Sequence, residues 1–133
     1  MGTESVGTVL DAAVTEARNA ANLRAAAISL SEGARRTRCP EEVDALAPNA
    51  EWHANSAGEC AQHVEEALVE LHGRGASANM VKTVEAAAAA ARAACEVAKI
   101  AARDARSAAE MTKARAAEFR ALQDFRRMAP AGV

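Results

Sequence analysis

Every seventh residue from Val84 is small or apolar for six positions: Val84, Ala91, Ala98, Ala105, Thr112, Phe119. A neighbouring column reads Val81, Ala88, Cys95, Ala102, Ala109, Ala116, Gln123, and a third reads Ala86, Ala93, Ile100, Ser107, Ala114, Ala121, Met128. Between them runs a column that is charged throughout: Glu85, Arg92, Lys99, Arg106, Lys113, Arg120, Arg127. A charged stripe holds this register on one face only if the helix repeats every 3.5 residues, which implies a left-handed supercoil. The pattern predicts one long helix over residues 77–127, with well over half its circumference available for burial by methyl groups. Opposite charges three and four apart (Arg92–Glu96, Glu96–Lys99, Arg106–Glu110, Arg120–Asp124) each add ~0.2–0.5 kcal/mol to it.

Residues 3–36 carry a second helical pattern. Val6, Val9, Ala13, Ala20, Leu23, Ala27, Leu30 and Ala34 form the stripe, and Leu10, Val14, Ala17, Ala21 and Ile28 widen it. Thr3 or Ser5 caps its start. Arg35, Arg36 and Arg38 suit the negative end of its dipole. Residues 37–55 have a different texture, with Pro40, Pro48, the single Trp52 and a run of acids. They predict a small loop-rich head containing a short helix from Pro40 to Leu46, with proline at its first position. Ser56-Ala57-Gly58-Glu59 has the spacing of a capping box and opens a helix over 56–72, with Ala57, Ala61, Val64, Leu68 and Leu71 facing inward. Gly73-Arg74-Gly75 reverses the chain in a turn over 73–76, and Ala129-Pro130-Ala131-Gly132 stops the last helix in a tail over 128–133.

Only 2% of the 133 residues are aromatic, and alanine supplies most of the apolar content. Alanine has the best helix propensity and lets neighbouring helices approach closely, but each buried methyl-sized group contributes only ~0.8 kcal/mol. Length has to substitute for bulk. The fold class is therefore all-α: one domain, an elongated antiparallel three-helix bundle or coiled coil. At 1.5 Å per residue the expected helices span ~50, ~27 and ~76 Å, so part of the third lacks cover within the chain. This predicts self-association or a protein partner on the alanine seam, with Phe119, Leu122 and Phe125 as a plug or docking surface near the end. Trp52 is either a binding anchor in the head or a plug for the end of the bundle.

Charge refines the picture. Cys39 to His72 holds eight acidic residues and no lysine or arginine, whereas Gly73 onward holds eleven basic and six acidic ones. These segments are expected to face each other inside one bundle, with head-to-tail contact between molecules as the alternative. Basic residues alternate with acids along the last helix and stacking aromatics are absent, which argues against nucleic acid. No stretch reaches the ~20 apolar residues of a membrane span. The start MGTESVG has neither the basic start nor the apolar core of a leader. The chain is thus expected either to stay where it is made, in the cytoplasm, or to be an ectodomain freed of its leader, at the cell surface.

Candidate chemistry is sparse. Cys39 and Cys60 bracket the expected head; outside the cell a disulfide between them would close a loop of about 20 residues, worth ~3 kcal/mol, and separate reduced thiols are the alternative. Cys95 sits in an alanine column as a small buried residue. Cys60 and His63 share a helix face near His53 and His72, but no paired metal-binding anchor exists, so no metal and no cofactor are expected. No nucleophile, base and orienting group cluster together, and no enzyme is expected.

The long alanine-rich helices of 3–36 and 77–127, joined through a head with cysteines at 37–55, resemble the elongated three-helix surface proteins of African trypanosomes. The likeness is architectural and compositional, covers most of the chain, and carries over no binding residue. It implies a non-catalytic surface antigen or receptor-like bundle that presents its head. The alternative is an intracellular coiled-coil adaptor or oligomerisation domain that docks a partner helix.

Overall fold

The computed structural model describes residues 5–128. It contains three helices, α1 (Val6–Arg36), α2 (Pro40–Gly73) and α3 (Ala78–Met128), packed as an up-down-up bundle in which each helix touches both others. Among the described residues there is no strand. No helix among them is long and apolar enough to cross a membrane.

Local chemistry sets the ends. Ser5 caps α1, its hydroxyl accepting the Thr8 amide at 3.1 Å; Thr3 lies outside the described residues. Pro40 opens α2 where its missing N–H costs nothing. Gly75 adopts φ 66°, and the Ala76 amide bonds back to the Leu71 carbonyl at 3.1 Å, closing α2 with a left-handed cap. The Ser77 hydroxyl accepts the Met80 amide at 3.3 Å to start α3. The expected tail lies outside the described residues apart from Met128.

The head over 37–55 is not there. Only Thr37–Cys39 connects α1 to α2, and residues 40–55 belong to one helix of 34 residues. Val43, Ala47, Ala50, Ala54, Ala57, Ala61, Val64 and Leu71 are buried, in strict steps of four and three once half-buried Leu68 is included. This continuous seam overrides the interior proline. Pro48 and Asp44 are both exposed, so the helical hydrogen bond lost at the proline lies on the solvent side of α2. Ser56 and Glu59 are then mid-helix residues rather than a capping box. Gly58 sits against α3, where a methyl added to it would meet Cys95 Sγ at 3.5 Å.

The core is built from small residues. Ala13, Ala20, Ala27, Ala50, Ala57, Ala88, Ala91, Ala98 and Ala105 are all at most 1% exposed, and Leu71 is the bulkiest fully buried side chain. On α3 the first two expected columns are buried from Val84 as far as Ala109, with Val81 half-buried. The third is not: Ala86, Ala93, Ile100, Ser107, Ala114, Ala121 and Met128 are all exposed. Two neighbours cover one side of a helix, so the burial of more than half the circumference does not occur.

The acidic and basic segments meet inside the molecule. Glu65 pairs with Arg92, Glu51 with Arg106, and Asp44 with Lys113 at 2.6 Å. Moving fourteen and then seven residues back along α2 matches the same steps forward along α3, so the pairs fix an antiparallel register. Arg92 and Arg106 thus reach across to α2 rather than to Glu96 and Glu110. Lys99, whose place in this register is opposite Gly58, turns to Glu96 at 3.6 Å.

Candidate interaction surface on α3

The lengths of 31, 34 and 51 residues give ~46, ~51 and ~76 Å, so α1 and α2 match and α3 overruns both. Ala109 is its last buried residue. The remaining 19 positions, 110–128, carry a helix of ~28 Å with only Thr112 and Ala116 partly covered. Their sequence changes to suit. Continuing the two buried columns past Ala109 gives Thr112 and Phe119 in one and Ala116 and Gln123 in the other, so the alanine seam ends where its neighbours do.

Most of the exposed large apolar residues of α3 lie on another side. Val97, Ile100, Met111, Leu122, Phe125 and Met128 are between 37% and 82% exposed. At about 100° per residue the first five fall within an arc of about 80°, with Met128 about 60° beyond Phe125, and Phe125 stands about 160° round the helix from Ala109. This solvent-facing stripe runs much of the length of α3, interrupted by Asp104, Ser107, Arg115 and Glu118. Phe119, 61% exposed, lies about 60° from Leu122 and faces a different feature. It lines an open cleft of about 700 Å3 with Arg35, Arg36, Thr37, Arg38, Thr112, Arg115 and Ala116, where α3 leaves the bundle. The expected cluster of Phe119, Leu122 and Phe125 is thus divided between two surfaces. Met111, Ile100 and Val97 were not anticipated as surface residues, although Ile100 stood in the third column.

Trp52 projects from the middle of α2, 61% exposed, its ring edge-on to His53 with centroids 5.0 Å apart. It therefore neither plugs the end of the bundle nor belongs to a head.

The cysteines do not pair. Cys39 precedes the first turn of α2 and Cys60 lies twenty-one residues along it, about 30 Å away. A disulfide needs Cα atoms within about 7 Å, so one helix cannot close that bridge. All three thiols are free. Burial, and then a hydrogen bond with Glu16, push the Cys60 thiol up to about 11, the opposite of what a nucleophile needs. Glu16 also reaches His63 Nδ1 at 3.4 Å. Cys39 Sγ donates to Glu41 at 3.0 Å, which holds that carboxyl below its ordinary value. Among the described residues no group of three or more His, Cys, Asp or Glu side chains is placed to hold a metal ion.

Comparison of the chain with family models, curated proteins and solved structures gave no match.

Proposed function

We propose that this chain is a non-catalytic helical interaction module that docks a partner helix along the solvent-facing stripe of α3. The observation that carries this reading is the stripe itself. Five large apolar residues, Val97, Ile100, Met111, Leu122 and Phe125, are exposed within one arc of about 80°, and three of them lie on a segment with no buried residue. An amphipathic helix laid along α3 would cover Ile100, Met111, Leu122 and Phe125 with anchors at helical spacing. The α1 and α2 helices then serve as a support, α2 joined to α3 by the ion pairs of Arg92, Arg106 and Lys113 and α1 by that of Arg35 with Asp104.

The other reading, an elongated surface antigen or receptor-like bundle, depends on a head over 37–55. With α2 continuous from Pro40, the connection at that end is three residues long, and no observation favours that reading over the module.

A photo-crosslinking residue at position 111 or 122, introduced into the protein in its native source, tests the proposal. A discrete protein adduct at both positions, absent from a probe at Arg18 on α1 and lost with Leu122→Ser/Phe125→Ser, supports the module. Equal labelling at Arg18, or no adduct at either stripe position, overturns it.

A further inference from the structure

The cleft at the root of the projection borders the apolar stripe, with Arg115 at the stripe's edge and Thr112 and Phe119 beyond it, but its chemistry is different. Arg36 and Arg38 flank Thr37 in the α1–α2 connection, and Arg115 comes from the first turns of α3 beyond the core. All three are exposed. Among the described residues, no ion pair engages any of them. Arg35, the fourth arginine of the cleft, is bonded to Asp104 at 2.8 Å and is not free.

The frame that presents these guanidiniums is fixed. The Thr37 hydroxyl donates to Glu42 at 2.6 Å and accepts the Cys39 amide at 3.2 Å, while the Thr37 amide bonds the Gly33 carbonyl at 3.0 Å. The Arg35–Asp104 bond holds the end of α1 against α3. Of the nearby acids, Glu42 accepts from Thr37 and Glu41 from Cys39, and neither pairs with a cleft arginine. The negative end of α1 and the positive end of α2 meet here and offset each other, and the three unpaired guanidiniums outnumber the Glu41 and Glu42 carboxylates.

We propose that this cleft is a binding site for a phosphate group, held by Arg36, Arg38 and Arg115 against the wall formed by Thr112 and Phe119. Guanidinium forks bind phosphate and carboxylate in pairs of parallel hydrogen bonds. A carboxylate offers two oxygens to three such forks, whereas a phosphate monoester offers three terminal oxygens and close to two negative charges. An open cleft of about 700 Å3 also admits more than the bare anion. The group belongs either to a free phosphate compound or to a phosphorylated side chain of a partner.

Calorimetric titration at low ionic strength separates the two, with sodium pyrophosphate in one arm and a phosphoserine peptide in glycine flanks in the other. Citrate serves as the polycarboxylate control. The expected result is saturable one-to-one binding in at least one arm, and the tighter arm identifies the source. Arg38→Gln and Arg115→Gln should each weaken it about tenfold, the scale of one charge-assisted hydrogen-bonded contact. Arg24→Gln, an exposed arginine remote from the cleft, should leave it within about twofold. Exposed arginines can be replaced without loss of the fold, which circular dichroism checks. No saturable binding in either arm, an equal loss with Arg24→Gln, or citrate binding as tight as phosphate would each overturn the proposal.

Discussion

Asp44 and Lys113 meet at 2.6 Å near the point where α3 outruns its neighbours, the last ion pair between α2 and α3 before the projection. Both side chains are about half exposed, so the contact marks register more than it supplies stability. Stability has to come from the alanine seam, and that seam tolerates little extra volume.

Ala91 is fully buried and Ala93, two residues on, is exposed. Ala91→Leu forces extra carbons between helices spaced for methyl groups and should cost about 1–3 kcal/mol. Ala93→Leu points into solvent and should change stability by less than about 0.5 kcal/mol. Urea unfolding of the two variants measures the difference. Equal effects would mean that α3 is rotated from the orientation described.

The seam also separates what the sequence makes legible from what it does not. The all-α class, both buried columns of α3 as far as Ala109, and the turn at Gly73–Gly75 follow from periodicity and from the conformational freedom of glycine. The missing head does not. Pro40, Pro48 and Trp52 are strong local signals for irregular structure, yet Val43, Ala47, Ala50 and Ala54 continue the steps of four and three already visible from Ala57 to Leu71. Burial along that seam outweighs one exposed proline. The arginine cleft was harder to see, because Arg36 and Arg115 are far apart in sequence and meet only once α1 and α3 run parallel. The exposed stripe needed the knowledge of which side of α3 its two neighbours leave open.

Two glycines should respond to alanine in opposite senses. Gly58 lies inside α2, and the added methyl meets Cys95 Sγ at an ordinary 3.5 Å. Gly58→Ala should stabilise by about 0.5–1 kcal/mol by restricting the unfolded chain. Gly75 has open space around it but φ of 66°, where a Cβ crowds the backbone, so Gly75→Ala should destabilise by about 1 kcal/mol. Thermal unfolding of both variants reads the signs directly.

Ser31 is 2% exposed, and its hydroxyl has no hydrogen-bond partner among the described residues. A buried, unpaired hydroxyl in a seam otherwise made of methyl groups is a cost rather than a support. Ser31→Ala removes it without changing the packing volume much and improves helix propensity. Stability should rise by about 1 kcal/mol, seen as a higher urea midpoint at unchanged slope. A fall in the midpoint would show that the hydroxyl is satisfied by a bound water.

The Cys60 thiol gives stability a dependence on alkaline pH. Its ordinary value is 9.0, and burial followed by the Glu16 hydrogen bond raises it to about 11 in the folded chain. Between these values the folded state keeps a proton that the unfolded state has lost. Stability therefore falls as pH rises through this window, by an amount on the order of 1 kcal/mol per pH unit at most, and levels off above it. Cys60→Ala keeps a small apolar residue in the seam and removes the titrating group. The Tm of the unmodified protein should drop from pH 8.5 to 10.5 by more than that of Cys60→Ala. Parallel curves would mean that the thiol titrates equally in both states. The same burial should order the reaction with a small alkylating agent at pH 8: Cys39, half-buried at the start of α2, modifies first, and Cys60 waits for the helices to open.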